Sequence, residues 1–175
     1  MSERRVWLAR LPEMRLAYLE TSIAGDHPDP MEPVAALWEE FNAWRLRARP
    51  ALGRIDISAL TWVLPADGAV AFRIGVPIRS DYRPPSPAQA TILPGGSFAY
   101  SYADNIDEVP EAGAAVERWI EQRGFEAVSG PIEVHKYHYN LDQHPCDCGY
   151  LVVDSEGREL IPAGGSHASP LPIAR

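Results

Sequence analysis

Residues 91–100 read TILPGGSFAY, and this stretch decides the fold. Its apolar ends alternate as β-strands do, while the Pro94–Gly95–Gly96 segment between them is typical of a turn. A helix is predicted next, at about residues 109–122, because apolar residues recur there at helical spacing and Gly124 follows. Two further strands are predicted, at residues 132–139 and 149–154. The second half of the chain therefore has the order strand, helix, strand, strand.

The first half of the chain repeats this order. A strand is predicted at residues 14–20, and a helix begins near Pro33, where apolar residues follow the spacing of one buried face. Two alternating strands follow around a Pro65–Gly68 turn. The pair Ala17–Tyr18 precedes the first helix as Ala99–Tyr100 precedes the second. The sequence predicts an α+β fold, made by tandem duplication of a strand–helix–strand–strand unit with pseudo-twofold symmetry, with helices on one face of antiparallel sheets.

The domain prediction follows from this duplication. Residues 1–160 are expected to form a single domain, with half-repeats at about 5–80 and 88–155. The proline- and glycine-containing tail, residues 161–175, is expected to be flexible. No DNA-binding helix-turn-helix precedes the first strand, so a stand-alone domain is expected.

Composition excludes several classes of function. The net charge of −8 and the single lysine, Lys136, argue against direct binding of nucleic acid, whose phosphates require clustered positive charge. No apolar run approaches the roughly 18 residues that a membrane span needs. No secretory signal is recognisable at the N-terminus. A soluble, cytoplasmic protein is therefore expected.

The segment IEVHKYHY, residues 132–139, carries the candidate site. Side chains alternate between the faces of a strand, so Ile132 and Val134 share a face that is expected to pack on the helices. The other face carries an acid, an imidazole and two phenols, at Glu133, His135, Tyr137 and Tyr139. This set suits a partly enclosed cavity, but it is also normal on an exposed face of an antiparallel sheet, and periodicity does not distinguish the two.

Further aromatic residues are candidates for the wall of that cavity. They are Trp62, Phe98, Tyr100 and Tyr102. Aromatic rings offer large apolar area, and a cation over a ring face gains roughly 0.5–2 kcal/mol. A carboxylate beside such rings adds charge complementarity. The predicted ligand is therefore a small hydrophobic or cationic compound.

Donors suited to a metal ion also gather near this segment. They are His135, His138, His144, Cys146 and Cys148. Zinc takes nitrogen and sulfur ligands, but Cys–x–Cys is an uncommon spacing in structural zinc sites, and no pair of ligands stands at helical spacing. His135 and His138 also point to opposite faces of a regular strand. The sequence therefore predicts no metal and no cofactor.

Several segments together resemble the GyrI-like small-molecule-binding domain, which is also the effector-binding part of multidrug-sensing bacterial transcription activators. They are Gly75–Val76–Pro77, residues 91–99, the helix of Trp119, and Gly130–Pro131–Ile132–Glu133. The resemblance implies two similar halves with an aromatic ligand cleft between them and a central glutamate from a late strand. Glu133 matches that glutamate best, although His135 stands where the family commonly has tyrosine.

Three functions remain open at this point. The first is a stand-alone protein that captures hydrophobic or cationic compounds around Glu133. The second, implied by the resemblance, is a hydrolase of reactive cyclopropane-bearing compounds, with Glu133 as general base assisted by Tyr137 or His135. The third is a protein-interaction module of the gyrase-inhibitor type.

Overall fold

The computed structural model describes residues 4–52, 59–135 and 145–160, except for the side chains of residues 49–52. The two helices of this part are α1, Met31–Leu52, and α2, Val109–Arg123, the second preceded by a 3₁₀ turn at Ile106–Glu108. The strands are β1 Trp7–Leu11, β2 Met14–Ala24, β3 Leu60–Ala66, β4 Ala69–Pro77, β5 Gln89–Leu93, β6 Gly96–Ala103, β7 Glu126–Ala127, β8 Ile132–His135 and β9 Cys146–Val153.

All strands of this part belong to one antiparallel sheet, in the order β1-β6-β9-β8-β3-β4-β2-β5, with β7 paired to β9. The predicted α+β fold is confirmed, and the two units share one continuous sheet because β3 pairs with β8. Each unit lends its first strand to the other, since β1 pairs with β6 and β5 pairs with β2. The pseudo-twofold axis therefore passes between β3 and β8.

The register shows the duplication residue by residue. Tyr18 lies opposite Gly75 in the first unit, and Tyr100 lies opposite Gly149 in the second. At the axis, Thr61 pairs with Glu133. The Ala–Tyr repeat of the sequence thus marks equivalent positions of the two units.

Both helices pack on the same face of the sheet. Helix α1 lies on β2 and β4, where Phe41 and Trp44 are buried against Ile74 and its neighbours. Helix α2 lies on β6 and β9, where Val116 packs with Val152. Gly124 ends α2 in the left-handed conformation, at φ 65°, and its N–H donates to carbonyls of the last turn.

The opposite face of the sheet is the interior of a curled sheet. Its buried residues come from strands of both units: Leu11, Leu16, Tyr18, Leu60, Trp62, Leu93, Phe98, Ile132, Val134 and Leu151. The turns between β1 and β2 and between β5 and β6 touch, because a Cβ added at Gly95 would lie 2.7 Å from the carbonyl oxygen of Leu11. The two edges of the sheet therefore approach each other, and most of the side chains of this cluster are buried between them.

Strand β9 begins earlier than the sequence predicts. It includes Cys146 and Cys148, which alternate with Asp147 and Gly149. Aspartate and glycine are disfavoured in strands, and they obscured the signal there. The two cysteines are therefore held in the sheet beside β8.

None of the helices in the described ranges is long and apolar enough to cross a lipid bilayer. The predicted flexible tail, residues 161–175, lies outside the described residues.

Candidate functional site

The two helices lie apart over the axis of the sheet, and from their spacing we infer a groove between them. Helix α2 lies over β6 and β9 and helix α1 over β4 and β2, so β8 and β3 lie between them. Four strand spacings separate the two helix positions, or about 19 Å, whereas packed helices lie about 8–10 Å apart. We call the space between the helices the seam groove; the side chains of β3 and β8 on this side are Thr61, Val63, Glu133 and His135, of which Val63 and Glu133 are partly exposed.

An acid and an imidazole lie in contact on this side of β8. Glu133 Oε2 is 3.0 Å from His135 Nε2, and the two side chains are 22% and 8% exposed. The ring of His135 packs edge-on against Trp38 of α1, with centroids 5.1 Å apart and planes at 80°. The helix side of β8 thus carries a partly exposed carboxylate and an imidazole that contacts the ring of Trp38.

Two buried thiols stand next to this pair on β9. Cys146 lies opposite His135 and Cys148 lies opposite Glu133, so all four side chains share the helix face. The two Sγ atoms are 3.3 Å apart, and both cysteines are free. The hydrogen bond to Cys148, burial and the charges of Glu133 and Asp147 all raise the pKa of the Cys146 thiol.

The structure does not bring the other predicted aromatic residues to Glu133. Trp62 and Phe98 are buried in the interior of the curled sheet. Tyr100 stacks on Phe98 at 5.5 Å, and Tyr102 lies two residues further along the same face of β6. All four therefore lie on the face opposite the seam groove.

The expectation that Ile132 and Val134 pack on the helices is wrong. Both belong to the interior cluster, while Glu133 points to the helix side. The physical reason is that the sheet buries both of its faces, so the apolar face of a strand does not identify the side on which the helices lie. Tyr137, Tyr139, His138 and His144 lie outside the described residues.

Two residues of the groove escaped the sequence prediction. Trp38 lies among the apolar residues of α1, but it is only partly buried, and its ring contacts His135 of β8. Thr61 is buried at the axis opposite Glu133. A polar residue between two apolar neighbours, Leu60 and Trp62, was the available signal for Thr61.

Comparison with known proteins identifies the family. Residues 8–140 match a family model described as a GyrI-like small-molecule-binding domain. No curated protein sequence matches significantly.

Four solved structures, from three other proteins, have the same fold. The C-terminal domain of EcmrR has a TM-score of 0.66 at 10% identity, covering 86% of this chain and 98% of that one. In the DNA complex of EcmrR the match covers 87% of this chain but 58% of that one, at a TM-score of 0.67 and 10% identity. SAV2435, solved with tetraphenylphosphonium, has a TM-score of 0.66 at 14% identity, covering 85% and 94%. A hydrolase from Listeria innocua has a TM-score of 0.52 at 11% identity, covering 87% and 94%.

Proposed function

The chain belongs to the GyrI-like small-molecule-binding domain family, and from this membership we propose that it captures hydrophobic or cationic compounds in the seam groove. The observation that carries the proposal is the position of Glu133, a partly exposed carboxylate at the axis of the two units, in contact with His135, whose ring packs against Trp38.

The chemistry of the groove favours a cation. A carboxylate that loses part of its water on ligand binding needs a compensating positive charge. A cation beside Glu133 gains Coulomb attraction, and contact with the face of an aromatic ring such as that of Trp38 adds roughly 0.5–2 kcal/mol. The same fold in SAV2435 was solved with tetraphenylphosphonium, which is a lipophilic cation.

Titration with tetraphenylphosphonium, followed by tryptophan fluorescence, tests the proposal. We expect saturable binding by the native protein and an affinity about tenfold lower in Glu133→Gln, which corresponds to about 1.4 kcal/mol. Glu40→Gln, an exposed acid on α1, is the matched control and should bind as the native protein does. Absence of binding, or equal affinity in Glu133→Gln and the control, would overturn the role of Glu133.

A second candidate function, hydrolysis, is favoured by the contact between Glu133 and His135. An acid 3.0 Å from an imidazole can orient and deprotonate a water molecule if that water lies within hydrogen-bonding reach. The Listeria innocua neighbour is described as a hydrolase. Turnover of a reactive cyclopropane-bearing compound, lost in Glu133→Ala, would establish this function, and unchanged substrate after long incubation would exclude it.

A further inference from the structure

We propose that Glu133, His135 and Cys146 form a binding site for a zinc-class divalent metal ion, with Cys148 beside them. One donor atom from each of the three residues lies within 4.8 Å of the other two. The donors are a carboxylate oxygen, an imidazole nitrogen and a sulfur atom, which is the set that zinc binds in proteins. The proposal does not depend on the small-molecule function, although the two share Glu133 and His135.

The sheet register builds this cluster. Glu133 and His135 are two residues apart on β8, and Cys148 and Cys146 lie directly opposite them on β9. Directly opposed residues of antiparallel strands have Cβ atoms about 4.5–5.5 Å apart. The four side chains thus form a compact patch on one face. The sequence placed His135, Cys146 and Cys148 near one another in the chain, but ten residues lie between the two pairs, and they meet only through the pairing of β8 with β9.

The distances suit a tetrahedral metal ion. With bonds of about 2.0–2.1 Å to nitrogen and oxygen and about 2.3 Å to sulfur, neighbouring ligands lie about 3.3 Å apart for nitrogen and oxygen and about 3.8 Å apart for two sulfurs. The observed separation from His135 Nε2 to Glu133 Oε2 is 3.0 Å, and the sulfur of Cys146 lies within 4.8 Å of the donor atoms of both.

The imidazole of His135 provides an independent indication. Its side chain is 8% exposed, and within the described part of the chain neither ring nitrogen makes a hydrogen bond. The contact of Nε2 with Glu133 is short, but it lacks the geometry of a hydrogen bond. Buried polar atoms are normally satisfied, and an unpartnered one calls for an unseen ion or water. Coordination to a metal ion would give one ring nitrogen of His135 the partner that it lacks.

The donor types also select the metal. Thiolate and imidazole ligands favour zinc and its neighbours over magnesium and calcium, which prefer oxygen. A bound cation would stabilise the thiolate of Cys146 and neutralise Glu133. Zinc and tetraphenylphosphonium should therefore compete for the seam groove.

Titration of the reduced, metal-free full chain with Co²⁺, with no organic ligand present, tests the proposal. We expect one Co²⁺ per chain, with the visible bands of a tetrahedral ion and a sulfur-to-cobalt charge-transfer band, both removed by Zn²⁺. Cys146→Ser should lose the charge-transfer band and weaken binding at least about 100-fold, since even outer partners of a metal ligand contribute 10–100-fold. His27→Ala, a histidine distant in sequence, is the control and should bind normally.

Glu133→Gln keeps the test decisive if Cys146→Ser does not fold, because Glu133 is partly exposed and its amide is a poor metal ligand. This variant should also weaken Co²⁺ binding and retain the charge-transfer band. A native protein that binds no Co²⁺, or one that binds it without a sulfur charge-transfer band, would overturn the site. Loss of tetraphenylphosphonium binding alone would contradict only the small-molecule proposal.

Discussion

Gly149→Ala is expected to destabilise the protein by about 3 kcal/mol, at the upper end of the usual cost of overpacking. A Cβ at this position would overlap the carbonyl oxygen of Ala99 and lie 2.8 Å from the Cβ of Tyr100. These are atoms of the neighbouring strand β6 close to its backbone, so they cannot move aside as the end of a flexible side chain can. The midpoint of thermal unfolding should fall by roughly 6–12 °C for a chain of this size.

Gly113→Ala is the matched control for this prediction. Gly113 lies within α2, and a Cβ there meets nothing within 4 Å. Alanine is favoured over glycine in a helix by up to about 1 kcal/mol, so this variant should be as stable as the native protein or more stable. If Gly149→Ala and Gly113→Ala unfold at the same temperature, the close pairing of β9 with β6 is wrong.

Local periodicity predicted the elements of the fold but not their partners. The order of strands and helices and the Ala–Tyr repeat are local features, and both are found in the structure. The exchange of β1 and β5 between the units depends on contacts far apart in sequence, for which alternation gives no signal. The early start of β9 was missed for a different reason: Asp147 and Gly149 have low strand propensity and interrupt the apolar pattern there.

The candidate site was predicted in part, for a related physical reason. Alternation correctly placed Glu133 and His135 on one face of β8, but it could not tell which side of the sheet that face occupies. Aromatic residues in strands suit a core as well as a cleft, and Trp62 and Phe98 belong to the core. The sequence did not mark Trp38 as a site residue, because the helical spacing of apolar residues is the same for fully buried positions and for half-buried ones.

Two tryptophan variants should show which face of the sheet supports stability and which binds the ligand. Trp62 is 4% exposed and packs on Tyr18 with ring centroids 5.8 Å apart. Trp62→Ala should destabilise the protein by about 3–5 kcal/mol, because it leaves a cavity in a closed interior. Trp38 is only partly buried, and Trp38→Ala should cost about 1–2 kcal/mol, in proportion to the smaller apolar area that it buries.

Ligand binding should respond in the opposite way to the same two changes. At a temperature where every variant is folded, Trp38→Ala should weaken tetraphenylphosphonium binding about tenfold, because the ring beside His135 supplies the aromatic contact. Trp62→Ala should leave the affinity within about twofold, and Trp62→Phe serves if the alanine variant does not fold. Isothermal titration calorimetry and thermal unfolding measure both effects on the same samples. The reverse pattern, with binding lost in the Trp62 variants and kept in Trp38→Ala, would place the ligand inside the curled sheet and overturn the seam groove as the site.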